Sequence, residues 1–220
     1  MRIRSILSIM AFAFGLASVS VSCGKDKPVS DDTLPIEAVS EGERYVLDTL
    51  GSRVEWKGFK VFKSENTSHF GELKFESGEV SVKDGHLVGG RFVASMASLV
   101  SVDLQREPDK KAKLESHLKN EDFFEVERFP TASYQITKVL PSEGGDYNTV
   151  LEGSMTIKGI TLPVSFNANV SVSEDQVRIA TEPKNLDREA FGVKFQAPLQ
   201  NGVITKEMNV QILVKAFKRG

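Results

Sequence analysis

Little in this chain belongs to a catalytic or nucleic-acid-binding protein. Of its 220 residues, one is Cys, one is Trp, three are Tyr and three are His. A lone Cys23 excludes any disulfide within the chain. The histidines His69, His86 and His117 lack the spacing of metal ligands, so no metal site is expected. Lys and Arg number 28 against 30 Asp and Glu, a net charge of -2, which leaves no basic excess to hold a phosphate backbone and argues against nucleic acid as a partner. There is no nucleophile elbow, no phosphate-cradling glycine loop and no paired-carboxylate motif. The expectation is therefore no enzyme and no catalytic cofactor.

The first 22 residues stand apart from the rest. Arg2 and Arg4 are followed by a stretch, Ile6 to Val21, that is almost wholly apolar or small, and then by Ser20, Val21 and Ser22 ahead of Cys23. A charged start, an apolar middle and small residues at a cut site describe a secretory signal. The run is too short to span a bilayer core, which needs about 20 apolar residues, and Gly24 to Lys27 ends it. Residues 1–22 thus read as a signal peptide, and the mature chain as exported to the periplasm or cell envelope. The stretch before Cys23 resembles a bacterial lipobox, although Ser20 stands where Leu is preferred. Two readings remain: acylation of Cys23, which would anchor the protein to a membrane, or ordinary cleavage after Ser22 with a free thiol. Residues 23–43 are polar, with Pro28, Pro35 and several acidic residues and no apolar period, as in a flexible tether.

From Arg44 onward the apolar residues alternate with polar ones. Val54 and Trp56 alternate with Arg53, Glu55 and Lys57, and Leu73 and Phe75 with Glu72, Lys74 and Glu76. Phe92, Ala94 and Met96 share a face. Leu162, Val164, Phe166, Ala168, Val170 and Val172 share another, as do Met208, Val210, Ile212, Val214 and Ala216. Strand side chains point alternately to the two sides, so each segment has one dry and one wet face. Leu213 and Phe217 break the outward polarity of the last strand, where a second subunit or segment would cover them. Asp84-Gly85 marks a hairpin turn. One helix is expected: Pro108 suits a first turn, and Leu114 and Leu118 lie one turn apart within Lys110 to Lys119. Lys110, Lys111 and Lys113 are offset by Glu107, Asp109 and Glu115 and read as a solvated helix face. Many one-sided strands with one inserted helix give an all-β antiparallel sheet closed into a barrel or stacked as a sandwich. Periodicity decides neither that choice nor whether the interior is full.

A series of short motifs runs through the same region. Val54-Glu55-Trp56-Lys57-Gly58 is followed by His69-Phe70-Gly71, then Gly85, Leu87, Gly90 and Phe92. Leu114-Glu115-Ser116-His117-Leu118, Asp122-Phe123-Phe124 and Phe129-Pro130-Thr131-Ala132 come next. Gly153, Lys158-Gly159-Ile160-Thr161 with Pro163-Val164, and Asp187-Arg188 with Phe191-Gly192 complete it. In order and spacing the series resembles the YceI-like family of bacterial periplasmic proteins, across residues 44–220. The resemblance implies a lipocalin-like antiparallel β-barrel of about eight strands, a size that admits one small ligand. It further implies a polyisoprenoid chain, such as a quinone tail or a polyprenol, held inside, and a possible homodimer.

On that basis Trp56, Phe59, Phe62, Phe70, Phe92, Phe123, Phe124, Phe166 and Phe191 are candidate tunnel-lining residues, although each suits a solid core equally well. His69, His117 and Arg188 are candidate head-group contacts. The blander alternatives are a carbonyl-bonded helix histidine for His117 and an Asp187–Arg188 ion pair fixing a loop. Glycines 58, 71, 90, 153 and 159 read as bulge, bend or turn positions. The resulting expectation is a membrane-anchored carrier of an apolar isoprenoid lipid. Its rival is an envelope-stress or interaction module with a packed barrel, no ligand, and an interface at Leu213 and Phe217.

Overall fold

Period-two alternation needs a partner strand on each side before a dry face can be buried, and this chain supplies those partners by folding back on itself at every turn. The computed structural model describes residues 42–63, 65–198 and 202–219. The expected signal peptide, Cys23 and nearly all of the expected tether lie outside the described residues. The strands are β1 (Glu43–Leu47), β2 (Arg53–Phe62), β3 (Glu65–Lys83), β4 (His86–Ser95), β5 (Val100–Ser101), β6 (Thr131–Pro141), β7 (Thr149–Ile157), β8 (Ile160–Val172), β9 (Gln176–Thr181), β10 (Lys184–Asp187) and β11 (Val203–Lys218), with the helix α1 (Pro108–Lys119) between β5 and β6.

The antiparallel order β11-β2-β3-β4-β6-β7-β8-β9 returns to β11 through the register Leu213↔Ala180 to Phe217↔Gln176. The sheet is therefore a closed eight-stranded barrel rather than a sandwich, and closure removes the exposed edges that would otherwise pair with other chains. Two positions in the ring are shared. β1 continues the line of β2 between β3 and β11, and β10 continues the line of β9 along β11. The expected Asp84-Gly85 turn is present, with φ of 52° and 76°. Lys158-Gly159 repeats it at 51° and 73°. Positive φ at both central residues matches the right-handed twist of the strands they join.

Half of the barrel is filled. Tyr45, Val80, Ile136, Leu151, Phe166, Val177, Ile179 and Ala216 are each no more than 2% exposed. Phe166 stands edge-on to Tyr134 at 5.3 Å between ring centroids. The Tyr134 hydroxyl donates to the carbonyls of Leu151 (3.1 Å) and Val164 (3.0 Å), and burial pushes its pKa well up. On the outside, Phe217 is 39% exposed beside its register partner Val46, with the Lys215 ammonium 4.7 Å from its ring; Leu213 is half-buried.

Because Phe166 sits where no space remains, Phe166→Ala is expected to lower unfolding stability by about 3–5 kcal/mol. Urea titration measures this, and a loss below about 1 kcal/mol would show that this half is not close-packed.

Candidate functional site

The other half of the barrel is hollow. A cavity of about 810 Å3 lies inside it, within the roughly 300–1,000 Å3 typical of small-molecule sites. The strands give it Val54, Trp56, Leu73, Phe75, Phe92, Ala94, Tyr134, Met155, Ile157, Met208, Val210 and Ile212. α1 and the turns after it add Leu114, His117, Leu118, Phe123 and Phe124, and the segment before β11 adds Val193, Phe195 and Pro198.

A pair of facing residues opens this space. Trp56 on β2 lies opposite Gly71 on β3. A Cβ on Gly71 would fall 1.8 Å from the Val100 carbonyl oxygen and 2.9 Å from Trp56 Cζ2, so the indole and β5 both lie in the space that glycine leaves. The same alternation explains why Phe70, expected at the tunnel, is instead 47% exposed and faces outward beside Lys57. Among the described residues the buried Trp56 Nε1 has no hydrogen-bond partner. Such an orphan costs about 1–3 kcal/mol.

Two carboxylates hold the cover in place. Asp103 accepts hydrogen bonds from His69 Nδ1 (2.8 Å), Ser101 Oγ (2.8 Å) and the Phe70 amide (3.1 Å). Glu115 on α1 accepts the Ser101 amide (2.7 Å) and the Lys111 ammonium. Together they clamp β5 between β3 and α1. Burial alone would raise both acids, but these hydrogen bonds outweigh it and hold both below their ordinary values of 3.8 and 4.5. On the far side, the Lys158 ammonium donates to the Phe123 carbonyl (2.9 Å) and fixes the turn after α1. His117 stands edge-on to Phe123 (4.9 Å) and Phe195 (4.8 Å), which joins the helix to the segment before β11.

Of the nine rings expected at the tunnel, Trp56, Phe59, Phe62, Phe92, Phe123 and Phe124 line the cavity. Phe59 is on the alternate face of β2 and also borders an outer groove. Three do not line it. Phe70 faces out, Phe166 lies in the packed half, and Phe191 is 2% exposed in the turn after β10. His69, His117 and Arg188 all border the cavity. His117 Nε2 pairs with Asp122 (3.1 Å) rather than with a carbonyl. The expected Asp187–Arg188 pair does not form. Arg188, 4% exposed, donates to the carbonyls of Thr205 (2.8 Å), Val193 and Ile204 (3.4 Å) and lies 3.7 Å from Glu189. It thereby holds the irregular stretch of β11 between Ile204 and Met208. Asp187 instead accepts the Glu189 amide at 2.9 Å.

Phe195, Met96 and Met155 line the cavity although sequence reasoning did not single them out. Met96 shares the dry face of Phe92 and Ala94, and Met155 alternates with Ser154 and Thr156 on β7, whereas Phe195 lies outside any periodic segment. Among the described residues no group of three His, Cys, Asp or Glu is gathered as for a metal.

Two tests follow from this geometry. Depressed carboxylate pKa values stabilise the fold above the unfolded values and lose that effect as pH falls through the folded ones. The melting temperature is thus expected to fall as pH drops from 4.5 downward. Glu115→Gln is expected to cost about 1 kcal/mol at pH 7 and progressively less on acidification, read from melts at a series of pH values. Trp56→Phe removes the orphan donor while keeping a ring in the wall. Its unfolding free energy is expected within about 1 kcal/mol of wild type, and a loss above about 3 kcal/mol would show that the indole N–H is satisfied in solution.

Residues 45–216 match the family model described as a YceI-like domain. A UPF0312 protein of Vibrio cholerae is 23% identical over 130 residues, 56% of this chain and 61% of the relative. One from Pseudomonas putida is 29% identical over 118 residues, 53% of this chain and 59% of the relative. The chain thus spans about three fifths of the length of the curated relatives it matches. Among solved structures, Burkholderia cenocepacia BcnA superposes with a TM-score of 0.57 at 16% identity, covering 77% of this chain and 99% of that one. At that identity the likeness is one of fold.

Proposed function

This chain belongs to the YceI-like domain family, and on that premise we propose that it binds and carries an apolar isoprenoid-type lipid, a quinone or polyprenol, inside its barrel. Proteins of the family are ligand-binding and are not known enzymes, and a lipid-binding barrel is what membership supports. The observation that carries the finer reading is the cavity: about 810 Å3, walled by aromatic, Met and branched apolar side chains and open at one end of a barrel whose other end is packed. Burying a hydrocarbon chain there gains roughly 25 cal/mol per Å2 without polar contacts. The rival reading, an interaction module, rests on a barrel packed throughout, and the cavity supports the lipid-binding reading instead.

The proposal extends to location. The signal-like segment 1–22 and the lipobox-like setting of Cys23 support export and membrane anchoring by acylation.

Native mass spectrometry of the full chain purified from bacteria, followed by organic extraction, is expected to find one isoprenoid or quinone per barrel. A Cβ on Gly58 meets nothing within 4 Å, and this residue lines the cavity. Gly58→Leu therefore fills space without displacing the wall. It is expected to retain the melting temperature and lose most of the bound lipid. An apo mass for wild type that stays unchanged after incubation with quinones and polyprenols would overturn the proposal.

A further inference from the structure

The inner face of β2 runs Val54, Trp56, Gly58, Lys60 and Phe62, and all five line the cavity. Four of them suit a hydrocarbon and one does not. Lys60 is half-buried, flanked across the sheet by Thr67 on β3 and Ile204 on β11. Among the described residues its ammonium has no hydrogen-bond or ion-pair partner. A second lysine reaches the same cavity from the cover. On α1, Lys110 pairs with Glu107, Lys111 pairs with Glu115, and Lys119 donates to the Ala97 carbonyl. Among the described residues, Lys113 alone of the helix lysines has no such partner, and it borders the cavity. Lys113 is exposed, as expected of a solvated helix face, and sits at the rim of this cavity.

The other charges at this end are accounted for. Arg188 is committed to three carbonyls and Glu189, Lys57 lies over the Phe59 ring at 5.3 Å, and His69 and His117 face Asp103 and Asp122. Among the described residues that line the cavity, Glu207 is the one carboxylate. A cation turned toward an apolar interior is unfavourable unless it is paired; Lys60 is half-buried in that setting, and Lys113, exposed on α1, borders the same space.

We propose that the ligand of this cavity is an anionic amphiphile, its apolar chain in the barrel and an oxyanion head group, phosphate or carboxylate, seated against Lys60 and Lys113. This rests on the lipid-binding reading above, keeps its apolar chain in the barrel and replaces the neutral head group with a charged one.

The test uses the fluorescence of Trp56, the single Trp of the chain and part of the cavity wall. The full chain is titrated with geranylgeranyl phosphate, with geranylgeraniol and with inorganic phosphate. The phosphate ester is expected to bind about tenfold or more tightly than the alcohol, with a preference that weakens as ionic strength rises. Inorganic phosphate is expected to leave the signal unchanged. Lys60→Met combined with Lys113→Met is expected to abolish the preference while alcohol affinity stays within about twofold. Because the preference is a ratio for each variant, a general loss of stability does not mimic it, and Lys60→Arg is expected to restore it. Equal affinity for ester and alcohol, or a preference that survives the double substitution, would overturn this inference and leave the lipid-binding reading standing. Inorganic phosphate binding as tightly as the ester would also overturn it. Failure of both lipids to bind would overturn the two together.

Discussion

Five residue pairs between β9 and β11, from Leu213↔Ala180 to Phe217↔Gln176, turn a long antiparallel sheet into a closed ring. Every inward side chain then faces others across a common interior, and the volume of that interior is set by the ring rather than by any one residue. A sheet of this length without closure would present two long edges and would need a second layer to bury its dry face. The filled end, the hollow end and the polar mouth are all consequences of how eight strands distribute large and small residues around one axis.

Along that axis the chain passes from solid packing to empty space to charge. Tyr134 and Phe92 mark the change. Each is no more than 3% exposed and each contributes to the cavity wall, while Phe166, packed edge-on against Tyr134, does not. Beyond the apolar wall come Thr67, His69, Lys60 and Glu207. Such a gradient has the polarity profile of an amphiphile, and it is assembled from adjacent rows of single strands: on β2, one inward position, Gly58, separates Trp56 from Lys60.

The cover at the mouth is built with polar economy. α1 has no buried residue of its own, so its position comes from anchors outside its apolar stripe. Glu115 and Asp103 tie it through β5 to β3, and Lys158, on a hairpin turn far away in sequence, holds the turn that follows. The edge-on contacts of His117 with Phe123 and Phe195 close the remaining side. Aromatic contacts of that kind contribute about 0.5–1.5 kcal/mol each.

The sequence by itself determined which faces are dry, where the helix begins, where Asp84-Gly85 turns the chain and, through an ordered set of motifs, to which family the chain belongs. Those properties are local: alternation, caps and turns depend on residues a few positions apart. Tertiary structure alone decided which dry residues meet a partner and which meet space. Phe92 and Phe166 carry the same signal in sequence, an aromatic on a dry face, yet one walls a cavity and the other fills a core. Their surroundings come from strands distant in the chain. Phe70 faces outward because its neighbour Gly71 occupies the inward position opposite Trp56, and Arg188 forms no pair with Asp187 because its donors go to the carbonyls of Val193, Ile204 and Thr205. Lys60 shows the limit most plainly. In sequence it is one lysine among many, and its inward direction exists only once the alternation of β2 is carried around a closed ring.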